Sequence, residues 1–347
     1  MAGHKFATDT ARIGAVKGMM LETAMFEECL GAAGDTIPMP RNQGETYKWK
    51  RFILPSGTDN VWIAAGGDDE FVDEHKTAEG VTPSADSVTS TIITATPTQY
   101  SCLYTYTDKT AELYEDDIPA QEVEFAGQRI RLVREMHNYG KLKAATNAFY
   151  AGGTSTATVK ATVSKNLLDK VKRDLKRYYC KPQYKALKGS TDYATYPIQA
   201  SYPVYAHTDL ESDIKDLPGF KDVAEYGANQ TISPNEIGSW GQFRFMVAPE
   251  LTYYVGGGVA VASAPTLKAD DSTNVDVYPM IVLGANAFKQ VALRGLNSID
   301  ANHIPHGVRD KSDPGGQRGY VWASTWHAAE ITNQDWLAVI EAGVTDL

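Results

Sequence analysis

The spacing of hydrophobic residues changes several times along this chain. Between Tyr47 and Tyr106, large apolar or β-branched residues alternate with polar ones, as in YKWKRFIL and VTSTIITATPTQYSCLYTYT. A period of two is typical of β-strands. The acidic stretch GGDDEFVDEHKTAEGV separates the two runs. The pattern therefore predicts an extended β-hairpin, which is too thin to bury a core alone and needs another surface to lie on.

A helical period follows the hairpin. Asp117 is placed to cap a helix, Pro119 lies in its first turn, and Gly152-Gly153 end the run, so we predict a long helix over Pro119–Tyr150. The residues that recur at helical spacing are Val123, Ile130, Val133, His137 and Ala144. About 30 residues, each rising ~1.5 Å, make a rod of about 45 Å. Such a helix is far longer than the average in compact domains.

Other segments predict shorter elements. Ser164–Tyr179 begins with a serine cap and has helical spacing. Ala11–Gly31 has the same spacing and is followed by glycines and prolines, so residues 1–45 are predicted as an N-terminal arm that packs on its own chain or on a neighbour. Residues 182–298 read as short strands and turns of a mixed α/β unit. Further on we expect a loop, a strand and a short helix, over Asn302–Pro314, Tyr320–Trp326 and Thr332–Ala342.

Composition limits the class of protein. The chain has 347 residues and 43% hydrophobic content, enough for two or three domains with a sizeable core. A net charge of −10 argues against a whole surface that binds nucleic acid. Three widely separated cysteines form no metal or redox motif, so we expect free thiols. The sequence contains no stretch long enough to span a bilayer and begins without a secretory signal, which leads us to expect a soluble protein made in a cytoplasm.

The net charge conceals two opposed blocks. Residues 58–124 contain fifteen Asp or Glu against two Lys or Arg, whereas residues 128–188 contain fifteen Lys or Arg against three Asp or Glu. Three interpretations follow: two separately solvated faces, an acidic hairpin of one copy on the basic helices of the next, or basic helices facing DNA. The candidate charged residues of an inter-subunit interface are Asp68, Asp69, Glu70, Asp73, Glu74, Arg129, Arg131, Arg134, Lys141, Lys172, Arg173 and Lys176.

The tryptophans divide into two groups. Trp322, Trp326 and Trp336 cluster near the end of the chain, where we expect core packing. Trp49 and Trp62 lie in the predicted hairpin, where little core of the same chain is expected, so we add both to the candidate interface.

Motifs for catalysis are weak. His303 and His306 lie close together, but their spacing matches no zinc signature. Neither the glycine-rich VGGGVAV segment nor the Gly238–Gly241 turn has the spacing of a phosphate loop or a nucleophile elbow. A helix N-terminus accounts for the carboxylates at Asp116 and Asp117. We therefore predict that the protein is not an enzyme and has no catalytic residues, cofactor or metal.

Two further segments carry a family resemblance. DLPGF at Asp216–Phe220 is followed by EIGSWGQFRF, and GGQRGYVWASTW begins at Gly315. These motifs resemble the major capsid proteins of tailed bacteriophages, of the N-four-like branch, over most of the chain after Tyr47. One departure is His207-Thr208-Asp209, which stands where the family would have His-Pro-Asp and leaves the geometry of that turn open.

The resemblance implies an α+β Hong Kong 97-type capsid fold. Its parts would be an N-terminal arm (1–45), an extended hairpin called the E-loop (46–106), a peripheral domain with a long spine helix (107–185 and 299–347) and an axial domain (186–298). Its implied function is self-assembly into the pentamers and hexamers of an icosahedral shell that encloses viral DNA. The alternatives are a tail or decoration protein, or an enzyme with a dispersed site.

The resemblance also implies partners and a location. We expect other copies of the chain, portal and decoration proteins, and packaged double-stranded DNA bound on the inner face without sequence specificity. Because the chain shows no scaffold-like coiled-coil extension, we also expect a separate scaffolding protein. No membrane partner is expected. The location would be the virion, with assembly in the host cytoplasm.

Overall fold

The structure is a computed structural model. The residues that the structure describes are 28–31, 33–40, 42, 44–53, 76–82, 89–113, 117–185, 197–226, 231–271, 273–293, 299–309 and 311–347. Most of the helix predicted from Ala11 lies outside them, as does most of the acidic stretch of the hairpin.

Strands outnumber helices in the described part of the chain. The strands are β1 Asp35–Pro38, β2 Tyr47–Ile53, β3 Thr89–Ala95, β4 Thr98–Thr107, β5 Ala148–Tyr150, β6 Gln183–Lys185, β7 Pro197–Ala206, β8 Lys221–Asp222, β9 Glu236–Trp240, β10 Phe243–Val247, β11 Tyr278–Leu283, β12 Phe288–Ala292, β13 Asp300–Ile304, β14 Arg318–Ile331 and β15 Leu337–Ala342. The helices are α1 Asp108–Leu113, α2 Ile118–Lys143, α3 Lys165–Arg177 and α4 Glu211–Lys215.

One large sheet has eight strands in the order β5-β15-β11-β7-β10-β9-β8, with β6 paired to β7. Strand β11 runs antiparallel to β15 and to β7, whereas β10 runs parallel to β7. Helix α3 packs its buried side chains, Leu168, Val171 and Leu175, into the cluster that covers one face of this sheet. Burial on both faces explains why β11 is apolar at every position, YPMIVL, and fully buried.

The second sheet is built around the long strand β14. Strand β4 pairs antiparallel along one side of β14, while β12 and β13 pair with successive parts of its other side. Strand β1 adds in parallel to β12. Helix α2 lies across this sheet, where Ala126 and Ile130 pack with Tyr106 and Val321.

A second buried cluster joins the two sheets. Tyr139 and Leu142 of α2 meet Tyr205 and Ile281 of the eight-stranded sheet and Phe288 of β12. Apolar side chains from both sheets and from α2 thus form one continuous cluster. This cluster holds the long helix at a defined place between the two sheets.

The sequence predictions for the long helices are largely confirmed. The Asp117 carboxylate accepts the N–H of Ala120 as the cap of α2, and Ser164 accepts the N–H of Leu167 as the cap of α3. The predicted length of α2 was wrong at its C-terminal end. The helix stops at Lys143, because Ala148–Tyr150 pairs as strand β5 with β15.

Two predictions near the C-terminus were also wrong. The helix expected over Thr332–Ala342 is a short 3-10 turn followed by β15, whose six residues are all buried between β5 and β11. A short apolar run such as LAVIEA does not distinguish helix from strand. Its conformation is decided by the edges of β5 and β11, with which it pairs. The loop expected from Asn302 begins as part of β13. The strand expected over Tyr320–Trp326 is confirmed, and β14 extends it at both ends.

The two sheets cut across the expected domain limits. Strands β5 and β15 and helix α3, from segments assigned to a peripheral domain, belong with the eight-stranded sheet. Strand β12, from the segment assigned to an axial domain, belongs to the sheet around β14. Strands β2 and β3 form a separate two-stranded sheet.

Candidate functional site

The candidate functional regions are surfaces, and the first is the base of the hairpin. Strands β2 and β3 pair antiparallel from Tyr47↔Ala95 to Ile53↔Thr89. On the inner face, Trp49 packs against Ala95, Val291 and Ala328. The Arg51 Nη1 donates to the Thr332 carbonyl over 3.3 Å. The base of the hairpin therefore rests on its own chain, and Trp49 has an intrachain role that the sequence did not indicate.

The outer face of the hairpin is uncovered. Phe52 is 63% exposed and Ile92 is 60% exposed. The Lys50 ammonium lies 5.0 Å from the centre of the Phe52 ring. Since Lys50 pairs directly with Ile92, this face combines apolar side chains with positive charge, a composition suited to contact with another molecule.

Several predicted interface residues cannot be placed. Those outside the described residues are Trp62, Asp68, Asp69, Glu70, Asp73 and Glu74. The acidic partner of the predicted charge pairing is thus known only from the sequence.

On α2, the predicted basic residues have different environments. Arg129 and Arg131 are exposed, and Arg129 Nη1 lies 3.5 Å from the Tyr104 hydroxyl. Lys141 forms an ion pair with Glu330 over 2.8 Å. Arg134 is buried and forms a bidentate ion pair with Glu28 of the arm. Because the Arg134 side chain is buried and paired within its own chain, we exclude it from the candidate interface.

The residue after Arg134 anchors the arm. The Glu135 carboxylate accepts the backbone N–H groups of Cys29, Leu30 and Gly31, two of them over 3.0 and 2.9 Å. Burial raises the pKa of Glu135 to about 7, although the three N–H donors act in the opposite direction. The arm from Glu28 to the end of β1 is therefore held on its own chain by α2 and β12.

A buried polar chain continues from the arm into the sheet. Gln290 Nε2 donates to the Gly31 carbonyl over 3.0 Å, and Asn138 Nδ2 donates to Gln290 Oε1 over 3.4 Å. The Asn138 Oδ1 is then the acceptor for His327 Nε2, at 2.7 Å. Burial lowers the pKa of His327 to about 3, so His327 is neutral. Its neighbours His137 and Arg134 shift the pKa in the same direction.

This network could hardly be predicted from the sequence. Glu135 is one of three acidic residues in a basic block, which marks it as unusual, but its partners in the arm lie more than 100 positions earlier. Nothing in the local pattern distinguishes Asn138 or Gln290 from solvated residues.

Helix α3 presents a basic face. Its apolar residues are buried in the core, whereas Lys165, Lys170, Arg173, Lys176 and Arg177 are exposed and Lys172 is half-buried. Asp169 and Asp174 are the acidic residues on this helix, and Asp174 accepts a hydrogen bond from Asn147 over 3.1 Å. The structure thus brings the predicted residues Lys172, Arg173 and Lys176 together on one surface.

The family motifs correspond to tight backbone contacts. Gly219 of DLPGF has φ +88°, and the Trp240 indole donates to the adjacent Pro218 carbonyl over 3.0 Å. A Cβ at Gly238 would lie 2.2 Å from the Phe220 ring. These glycines let the DLPGF turn close against β9.

The turn at His207 also has a defined geometry. Its imidazole Nδ1 accepts the Asp209 N–H over 3.1 Å and so caps a 3-10 turn over Thr208–Leu210. Asp209 pairs with Lys268 over 2.8 Å and accepts the Tyr278 hydroxyl over 2.9 Å. The turn at Thr208 is thus closed by the His207 side chain and stabilised by the contacts of Asp209.

The residues considered for metal binding have other contacts. His303 Nε2 lies 2.7 Å from the Tyr106 hydroxyl, and His306 lies 3.8 Å from the Glu112 carboxylate. Among the described residues, no group of three or more potential metal ligands comes together. Within the same residues, every helix is too short or too polar to cross a bilayer.

Comparison with known sequences gives one partial match. No protein family profile matches the chain. A curated major capsid protein of Pseudomonas phage KPP21 is 25% identical over 168 residues, which are 45% of this chain. The matched part spans 42% of that relative's length.

Comparison with solved structures covers nearly the whole chain. The capsid of Ralstonia phage GP4 has a TM-score of 0.66 at 9% identity, with 99% of both chains covered. The Cyanophage Pam1 capsid has a TM-score of 0.61 at 12% identity, with 100% of both covered. The head of Helicobacter pylori bacteriophage KHP40 has a TM-score of 0.60 at 11% identity, with 99% of this chain and 98% of that chain covered. At these identities the likeness shows a shared fold.

Proposed function

We propose that this chain is a major capsid protein. It has the Hong Kong 97-type fold of tailed-phage capsid proteins. Its copies would form pentamers and hexamers and close an icosahedral shell around viral DNA. The observation that carries this proposal is the likeness to the GP4 capsid over 99% of the chain, together with the match to a curated major capsid protein. The implied class is a structural protein rather than an enzyme.

The fold suggests a role for each part. We assign the sheet around β14 and helix α2 to the peripheral domain, the eight-stranded sheet and α3 to the axial domain, and the hairpin of β2 and β3 to the E-loop. The exposed outer face of the hairpin, with Phe52 and Ile92, supports a role in contact between copies.

The basic face of α3 is proposed to receive the acidic part of a neighbouring hairpin. The two sequence blocks nearly balance, at −13 for residues 58–124 and +12 for residues 128–188. Because exposed ion pairs are individually weak, many of them would set the orientation and rate of association. A contact of the same face with packaged DNA is the competing arrangement. Scaffolding, portal and decoration proteins are further proposed partners, with the virion as the final location and the host cytoplasm as the site of assembly.

The proposal is tested by assembly of the purified protein. Negative-stain microscopy and sedimentation, with and without the scaffolding protein of the same phage, should show capsomers or closed shells. A chain that stays monomeric at all concentrations, with its scaffolding protein present, would overturn the proposal.

A variant with a shortened hairpin tests the role of the hairpin in assembly. Ile53 and Thr89 are directly opposite in the β2–β3 register, so residues 54–88 can be replaced by an Asn-Gly turn that suits a two-residue hairpin. This variant should keep the folded body, measured by circular dichroism and thermal unfolding, and should form no shells. Shells of normal size from this variant would remove the hairpin from the assembly contacts.

A further inference from the structure

One end of the eight-stranded sheet contains a small polar recess. Its volume is about 90 Å³, more than a single water molecule needs. Its lining residues are Ala200, Ser201, Lys221, Glu225, Tyr226, Ser239, Gly241 and Arg244. The recess is therefore polar and large enough for an oxyanion group.

Strand register places three of these residues in one row. Arg244 of β10 lies opposite Ser239 of β9, and Ser239 lies opposite Lys221 of β8. Residues directly opposite on neighbouring strands point to the same face of a sheet. The row thus presents a guanidinium, a hydroxyl and an ammonium to one space.

The floor of the recess carries a buried positive charge. Arg244 is 4% exposed and lies 3.4 Å from Glu236 through Nη1, with its guanidinium 5.2 Å from the centre of the Tyr226 ring. Glu236 already accepts the Tyr226 hydroxyl over 2.7 Å and the Ile232 N–H over 2.6 Å. At 3.4 Å this ion pair is longer than a typical charged hydrogen bond, and Glu236 shares its two oxygens among Arg244, the Tyr226 hydroxyl and the Ile232 N–H.

A second observation points to a ligand. Ser201 is 3% exposed, and its hydroxyl oxygen has no hydrogen-bond partner among the residues that the structure describes. Buried hydroxyl groups are normally paired, because leaving one unpaired is costly. A hydroxyl that lines a recess and lacks a partner is a donor ready for an incoming oxygen.

The surroundings are positive on balance and continuous with the α3 surface. Lys221 and Glu225 are exposed at the mouth. A Cβ placed on Gly241 would lie 3.9 Å from Lys172 Nζ, so the ammonium of Lys172 also stands at the edge of the recess. With Arg244, three cations face this region against one exposed carboxylate and the carboxylate of Glu236.

We propose that this recess receives a carboxylate side chain from a second copy of the chain. The inference rests on the proposed function, in which the acidic segment of one copy meets the basic face of another. The incoming carboxylate would accept hydrogen bonds from the Ser201 hydroxyl and from Lys221, and the charge of Arg244 would stabilise it. The recess thereby fixes one specific point in a contact otherwise made of diffuse charge pairs.

The test uses shells assembled from equal amounts of unlabelled and ¹⁵N-labelled full-length chains. A zero-length carbodiimide reagent joins an amine to a carboxylate that touches it, and mass spectrometry identifies the joined peptides. We expect peptides that contain Lys221 to be joined to acidic peptides of the other isotope. Intact shells in which Lys221 is joined only within its own copy, for example to Glu225, would overturn the inference and leave the proposed function standing. Failure to form any shells would overturn both.

Two variants give an independent measurement. Ser201→Val removes the unpaired hydroxyl, and Lys221→Met removes the ammonium at the mouth of the recess. The control is Lys215→Met, on an exposed lysine of α4 that does not line the recess. Loss of one such contact should raise the subunit concentration needed for assembly by about tenfold, with no change for the control. Circular dichroism verifies the fold of each variant. Equal assembly concentrations for folded Ser201→Val, Lys221→Met and the control would also overturn the inference.

Discussion

Arg134 in the long helix and Glu28 in the arm form a bidentate ion pair, with Arg134 Nη2 2.6 Å from Glu28 Oε1 and 2.7 Å from Oε2. The two residues are 106 positions apart. The pair lies beside the Glu135 carboxylate, which holds the next three backbone N–H groups of the arm. Together they make α2 the anchor for the arm.

Loss of this pair should loosen the arm. Arg134→Met leaves the Glu28 carboxylate without its cation, which should reduce the free energy of unfolding by about 1–3 kcal/mol. Limited proteolysis should then cut near residue 28 more rapidly than in the parent chain. The double variant Glu28→Gln with Arg134→Met serves as the control, because it removes both charges and should recover part of the loss. Equal stability of the parent and Arg134→Met would mean that the pair does not anchor the arm.

Gly319 should not tolerate a side chain. A Cβ at this position would lie 2.1 Å from Cζ of Tyr106. Tyr106 is 1% exposed and its hydroxyl is hydrogen-bonded to His303, so its ring has little freedom to move. Gly319→Ala should reduce the free energy of unfolding by at least about 1–3 kcal/mol.

A glycine of α2 provides the matched control. Gly140 lies in the helix with no atom within 4 Å of a Cβ placed on it. Gly140→Ala should therefore increase the free energy of unfolding by about 0.5–1 kcal/mol. Chemical denaturation of both variants measures the contrast, and similar effects of the same sign would contradict this account of Gly319.

Local signals in the sequence predicted local structure well. The caps at Asp117 and Ser164 and the alternation in β14 are properties of a few neighbouring residues, and all three are confirmed. The strand LAVIEA was missed because its conformation is decided by β5 and β11, which come from distant parts of the chain.

The same reasoning applies to the candidate surfaces. The basic face of α3 could be predicted because helical period separates its leucines from its lysines. The role of Arg134 could not, since a residue's charge does not show whether its partner is in the same chain or in another. The DLPGF and GGQRGY motifs led to the capsid fold, whereas membership of the N-four-like branch remains a prediction.

Stability should depend on the protonation of His327. Its pKa is about 3 in the folded chain and near 6.5 when unfolded, so the unfolded chain binds a proton first as the pH falls. The stabilisation from neutral His327 is complete above pH 6.5 and is lost as the pH falls towards 3. The loss should approach about 1.4 kcal/mol per pH unit.

A variant isolates this effect. His327→Gln can still donate to Asn138 but does not titrate. Glu135, with a pKa raised to about 7, changes stability with pH in the opposite direction, because its contribution is lost as the pH rises. Since Glu135 is present in both proteins, its contribution cancels in the comparison. Urea unfolding of the parent and the variant between pH 7 and pH 4 should show the parent losing more stability. A constant difference between them over this range would refute the role of His327.

Reversal of charge on the exposed face of α3 should slow assembly. Arg173 and Lys176 are both exposed, so Arg173→Glu with Lys176→Glu changes the charge of this surface by four units without touching the core. If an acidic segment of a neighbour docks here, the assembly rate followed by light scattering should fall about tenfold or more at low salt, because electrostatic steering is lost. The parent should itself assemble more slowly as salt is raised to ~0.5 M, because screening weakens exposed pairs.

The control must show whether the effect depends on where the charge is reversed. Lys311→Glu reverses an exposed charge in the segment between β13 and β14 rather than on α3, and should assemble at the parent rate. Assembly in the absence of DNA also separates the two arrangements of the basic face. If the double variant assembles normally without DNA but its shells retain less DNA after packaging, α3 faces the packaged DNA and the proposed docking of the acidic hairpin is wrong.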